Sequence, residues 1–131
     1  MYKRTAWVFL LTSFLTKGVS AFAQDESAQQ WSGNWIADGT FFQIEISVEN
    51  NTMRVIQVES LGFIWTNQDG KVDGKMAQIE VEYSGATGII KAELIEPNMA
   101  IVTASTCIPE FMVVCALSKG RRAVFRKVVD P

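Results

Sequence analysis

From Trp31 onward, apolar and polar side chains alternate every second residue. Phe42, Ile44, Ile46 and Val48 interleave with Gln43, Glu45, Ser47 and Glu49, and Ala77, Ile79, Val81 and Tyr83 interleave with Gln78, Glu80, Glu82 and Ser84. Successive side chains of a strand point to opposite faces, so each run predicts a β-strand with one buried and one wet face. Turn formers stand between the runs: Asn50-Asn51, Asp69-Gly70, Asp73-Gly74, Gly85 with Gly88, Pro97-Asn98 and Lys119-Gly120. Asn and Gly tolerate the positive φ of tight hairpins, and Pro presets the φ of a turn. The spacing predicts strands at 32–37, 41–49, 53–60, 61–67, 75–84, 88–96, 99–106, 111–118 and 122–129. The third and fourth can be read as one strand bent at Leu61-Gly62, where the apolar parity shifts as it does at a bulge. No stretch after Trp31 carries helical spacing.

Half-exposed strands joined by short connections pair antiparallel. An antiparallel meander removes its unpaired edges by closing on itself. The expected fold is all-β, a small antiparallel up-and-down barrel of about eight strands, with a β-sandwich as the alternative.

The first residues follow a different rule. Lys3 and Arg4 precede a short apolar run from Ala6 to Leu15, and Ala21-Phe22-Ala23 supplies a small-x-small cleavage pattern. This is the layout of an export signal, expected to form a cleavable helix over residues 1–23 and to leave Gln24 as the mature N-terminus. Its apolar run falls short of the about 20 residues that span a bilayer, so no stable membrane anchor is expected. The polar segment 24–30 reads as a flexible tail, and residues 31–131 as one domain. Delivery to a periplasm or the extracellular space follows.

Charge sharpens this picture. Removing Lys3, Arg4 and Lys17 leaves nine basic against fourteen acidic residues, a net charge near −5. Nucleic acid is not an expected partner, because phosphate binding needs a basic face. Five of those nine basic residues, Lys119, Arg121, Arg122, Arg126 and Lys127, cluster near the C-terminus. They read either as a docking patch for an anionic partner or as a basic turn followed by the solvent face of a last strand. The two cysteines, Cys107 and Cys115, predict one disulfide in an oxidising compartment.

The chain contains no histidine, so neither a Ser-His nor a Cys-His pair can be assembled for acyl transfer. Glu80 and Glu82 invite a carboxylate-based hydrolase reading, but both fall on the polar parity of their strand. The segment from Asn67 to Gly74 fails as a calcium loop: Lys71 takes a ligand position, Val72 the glycine position and Gln78 the place of the final Glu. Neither a metal nor a cofactor is implied, and a non-enzymatic binding module is expected.

Trp31 and Trp35 share one face of the first strand, with Gly33 between them leaving room for a close neighbour. They read as an indole plug at one end of the core or as a wall for a small apolar ligand. In the second case Phe42, Phe63, Trp65 and Tyr83 complete the lining. The stretches 110–117 and 100–102 are apolar on both parities, as in a strand that is covered on both faces or meets a partner. The leading expectation is an inhibitor-type or protein-interaction domain, engaging a protein partner through its loops or through such an apolar strand face, the latter also able to meet a second copy. The alternative is a carrier of a small apolar ligand.

Gly33-Asn34-Trp35 at the start of the first strand resembles the Gly-x-Trp of the calycin barrels, which include lipocalins, avidins and a family of bacterial periplasmic protease inhibitors. The resemblance implies that Trp35 closes one barrel end and that a basic residue of the last strand, Arg126, packs across it. Protein recovered from its own exporting host should have an N-terminus at Gln24; intact-mass measurement checks this, and retention of residues 1–23 would refute the signal.

Overall fold

The computed structural model describes residues 28–129, and the expected signal segment lies outside them. Among these residues the strands are β1 (Gly33–Ala37), β2 (Gln43–Glu49), β3 (Thr52–Glu59), β4 (Trp65–Asn67), β5 (Gly70–Asp73), β6 (Met76–Tyr83), β7 (Ala86–Glu96), β8 (Met99–Ile108) and β9 (Arg122–Lys127). One short helix, α1 (Val113–Ser118), lies between β8 and β9. The ring runs β1-β2-β3-β5-β6-β7-β8-β9 with every pairing antiparallel, and β9 returns to β1 through Trp35↔Lys127 and Ala37↔Phe125. The fold is the expected closed, up-and-down, eight-stranded barrel, with β4 as an extra strand beside β6.

Local chemistry sets the connections. Asn50 and Asn51 hold φ values of 52° and 62°, and Ser84 and Gly85 hold 54° and 87°. Two positive φ values in a two-residue loop match the twist of the strands they join, which is why Asn and Gly stand there. Asn50-Asn51, Gly74-Lys75 and Pro97-Asn98 make one end of the barrel tight; the other carries the long connections 38–42, 60–64 and 109–121. The two clearest alternating runs face as their pattern predicts: Ile46, Val48 and Ala77 are buried, whereas Glu45, Glu49, Glu80 and Glu82 are exposed.

Four expectations change. Residues 111–118 do not form a strand; the segment turns at 109–112 and then forms α1. The reason is topological: β8 pairs with β7 and β9, and β9 pairs with β8 and β1, so neither strand that flanks the segment offers it an edge. An apolar run of this length does not distinguish strand from helix by periodicity. Residues 70–73, read as part of a turn-rich gap, form β5. Gly70 is extended there, and a Cβ would collide with the Gln78 carbonyl oxygen across the ladder, a close approach that only glycine allows.

The segment 61–67 is neither a full strand nor a continuation of β3. Leu61 and Gly62 take φ of 55° and 85°, the Phe63 N–H donates to the Ser60 carbonyl at 2.9 Å, and only Trp65–Asn67 pairs, with β6. Finally, residues 28–30 belong to the packed domain rather than to a loose tail. Ala28 is buried in the core, and Gln29 Nε2 donates to the Val48 carbonyl at 3.1 Å.

Cys107 at the end of β8 and Cys115 of α1 are joined by the expected disulfide, and Cys115 is buried. The bridge fastens the long β8–β9 connection to the barrel. Its closed loop is short, so the Cys107→Ser/Cys115→Ser double variant should lose about 2–3 kcal/mol of stability in urea unfolding. An unchanged midpoint would show that packing alone holds α1.

Candidate functional site: an apolar cavity with an indole floor

Trp31 and Trp35 are the two largest fully buried side chains among the described residues. Their rings lie 6.1 Å apart and tilted by 38°, across the tight end of the barrel. A buried indole needs a partner for its N–H. The Trp35 Nε1–H donates to the Trp31 carbonyl at 2.8 Å, and the Trp31 Nε1–H donates to the Gly74 carbonyl at 3.0 Å. The second bond ties the floor to the β5–β6 turn.

Lys127 completes the closure. Its Nζ lies 5.3 Å from the centre of a Trp35 ring and donates to the Gln30 carbonyl. Burial pushes the pKa of this amine below the usual lysine value. Gly33 lies under the lysine stem: its φ is 136°, and a Cβ there would come to 3.4 Å from Lys127 Cδ. The close neighbour that Gly33 accommodates is therefore the side chain of Lys127.

Arg126 does not pack across Trp35. Phe125 lines the interior, so by the two-residue period Lys127 also points inward, while Arg126 points out and pairs with Asp38 at 3.2 Å. The basic cluster is likewise divided. Lys119, Arg121 and Arg122 are exposed at the end with the long connections, whereas Arg126 is on the outer wall and Lys127 is at the floor.

Above the floor lies a cavity of about 440 Å³ that opens toward the long connections. Trp31, Trp35, Phe42, Phe63, Trp65 and Tyr83, the side chains expected to form a ligand wall, all line it. Phe42 is 6.0 Å from Trp65 and 6.2 Å from Phe125, the latter edge-on at 84°, and Phe63 meets Tyr83 edge-on at 5.7 Å. Centroid separations of this kind favour aromatic pairs and stiffen the wall.

Three alanines keep the cavity from filling. Ala77, Ala92 and Ala100 point inward from the adjacent strands β6, β7 and β8, with Ala77 directly opposite Ala92. Val114 of α1 and Phe125 of β9 also contribute, and neither was anticipated. Phe125 could have been found by parity; Val114 could not, because its element was read as a strand.

The wall exposes only apolar surface, and the lining includes no carboxylate, amine or guanidinium. Gln78, whose side chain is on the outward parity of β6, and Tyr83 are the polar residues that border the cavity. Glu80 and Glu82 point away from the cavity. Among the described residues no cluster of three or more His, Cys, Asp or Glu side chains could hold a metal ion. Comparison with protein-family models, characterised proteins and solved structures finds no match to this chain.

Replacing Trp35 by Ala removes the centre of the floor and should cost about 3–5 kcal/mol in equilibrium unfolding. A loss below about 1 kcal/mol would mean that the indole is a replaceable wall element, as expected of surface substitutions.

Proposed function

We propose that this protein is an exported binding module whose cavity takes up a small apolar ligand. The observation that carries the reading is the coincidence of an aromatic-lined cavity of about 440 Å³ with a wall that exposes only apolar surface. Ligand cavities typically measure about 300–1,000 Å³ and are lined mainly by hydrophobic and aromatic side chains. An eight-stranded barrel is just wide enough either to fill with its own side chains or to hold one small ligand. The inward alanines at 77, 92 and 100 favour the second outcome here.

The carrier reading thus ranks above a purely protein-directed inhibitor role. Of the two stretches apolar on both parities, residues 113–118 are helical, and 100–102 lies in β8 with Ala100 and Val102 turned into the cavity. Binding rather than catalysis fits a lining without a carboxylate or amine to move a proton. A periplasmic or extracellular setting accords with the Cys107–Cys115 disulfide. The indole floor with a cation across it supports a calycin-like kinship, with Lys127 in the role assigned from sequence to Arg126.

The neutral fluorescent probe N-phenyl-1-naphthylamine provides the test. It should bind the wild-type protein saturably, with enhanced emission, and a stoichiometry of one. Ala92→Trp, which places an indole into the cavity, should weaken binding by at least about tenfold while retaining the far-ultraviolet circular dichroism of the barrel. Absence of probe uptake by wild type, or equal uptake by Ala92→Trp, would overturn the reading.

A further inference from the structure

We propose that the open end of the barrel docks onto a lipid bilayer bearing anionic headgroups, so that the cavity mouth faces the membrane. The inference concerns the rim of the mouth and holds whether or not the cavity takes a ligand.

The first observation is where the exposed apolar side chains are. Ile64 is 85% exposed in the β3–β4 connection, Phe111 84% in the β8–β9 connection and Phe41 81% in the β1–β2 connection. Large apolar side chains left this open to water mark an interaction surface when they gather at one place. These three come from separate loops at the same end of the barrel, the end opposite the indole floor.

The second observation is their arrangement. In the eight-strand ring the β3–β4 and β8–β9 connections are four strand positions apart, on opposite sides of the mouth. On the β3–β4 side Leu61 accompanies Ile64. On the β8–β9 side α1 turns Val114 and Cys115 inward and presents Val113, Ala116 and Leu117 outward. Positions i, i+3 and i+4 form one helix face, so this apolar stripe points away from the barrel. Apolar points on opposite sides of an open mouth suit a deformable apolar slab better than a flat, rigid protein face.

The third observation is charge. Lys119, Arg121 and Arg122 follow α1 directly and are exposed, and none forms an ion pair among the described residues. At the same end Asp38 is paired with Arg126, and the other acidic residues are Glu59, whose carboxylate accepts the Leu61 N–H, Glu82 near the end of β6, and Glu110, none of them on α1 or in the segment that follows it. A chain that is acidic as a whole thus groups three free cations beside its outward apolar stripe. Basic residues next to inserted apolar side chains form the combination that anionic headgroups attract. The outer wall carries the exposed carboxylates Glu45, Glu49, Glu80 and Glu82, so the contact proposed is a surface one through the rim.

The test is flotation of the purified, disulfide-bonded protein with vesicles of phosphatidylcholine alone or with 30 mol% phosphatidylglycerol, the latter at ~0.05 and ~0.5 M salt to vary screening. Wild type should float with the anionic vesicles, float less at high salt, and float weakly with phosphatidylcholine. Ile64→Ser/Phe111→Ser should lower partitioning by at least about tenfold, because each side chain loses its transfer out of water. Lys119→Gln/Arg121→Gln/Arg122→Gln should lower it by about tenfold or more on anionic vesicles only.

Both variants change exposed side chains. Retained far-ultraviolet circular dichroism of the barrel in either one shows that the fold is intact, and N-phenyl-1-naphthylamine uptake measured in parallel separates this inference from the ligand reading. The proposal is overturned if wild type fails to float with anionic vesicles, or if the Ile64→Ser/Phe111→Ser variant floats as well as wild type. It is also overturned if sedimentation shows a dimer that the same variant dissociates, which would make the rim a contact between two copies.

Discussion

The contact on which the structure depends is the stack of Trp31, Trp35 and Lys127 across one end of the barrel. Trp35 in β1 stands directly opposite Lys127 in β9, so the residues that form this stack also join the first and last strands of the ring. The Trp31 N–H reaches Gly74 in the β5–β6 turn, across the barrel from the β1–β9 junction. One aromatic pair thus links the ring closure to its far side. Large aromatic side chains dominate core energetics through the apolar area they bury, and satisfied N–H groups remove the penalty of burying an indole.

The cavity is a consequence of where the large side chains are. Bulk is concentrated in the floor, at Trp31 and Trp35, and around the mouth, at Phe42, Phe63, Trp65 and Tyr83, whereas β6, β7 and β8 each turn one alanine inward, at Ala77, Ala92 and Ala100. Interiors normally pack to crystal-like density, and a lining without partner atoms loses dispersion contacts. A fold that forgoes this attraction at several inward positions is shaped for something other than maximal stability. The wall near the mouth is also the least continuous part of the ring: β3 pairs with β5 only through Thr52↔Lys71 and Met53↔Gly70. Farther along, Gln57 Nε2 bridges to the Trp65 carbonyl at 2.8 Å in place of a backbone ladder.

Much of this architecture was legible in the chain. Two-residue alternation identified the inward faces of β2 and β6 residue by residue, because a half-buried strand records its orientation in its polarity. The Asn50-Asn51 and Pro97-Asn98 turns were marked by residues whose backbone preferences fit them. The six aromatic residues expected to wall a ligand site all reached one cavity. What the sequence could not reveal depended on closure. Only in a ring with no free edge does the apolar segment 111–118 become a helix, and only against β6 does Gly70 become a strand residue rather than a turn. Lys127 was hidden by a parity slip: Arg126 matched the resemblance, but its neighbour shared the inward face with Phe125. The rim of exposed apolar side chains was invisible as well, since its members are far apart in sequence and share only an end of the barrel.

Together these features describe a hydrogen-bonded indole floor, an apolar chamber above it, and a mouth bordered by exposed apolar side chains, with free cations on the β8–β9 side. The role proposed for the chamber is to hold an apolar molecule. Native mass spectrometry of protein purified under non-denaturing conditions from its own host tests this most directly. The expected result is a population heavier than the polypeptide by the mass of one small molecule, which organic solvent extracts and which Ala92→Trp lacks. A single species at the mass of the bare, disulfide-bonded chain, unchanged after incubation with the host's own lipid extract, would contradict it.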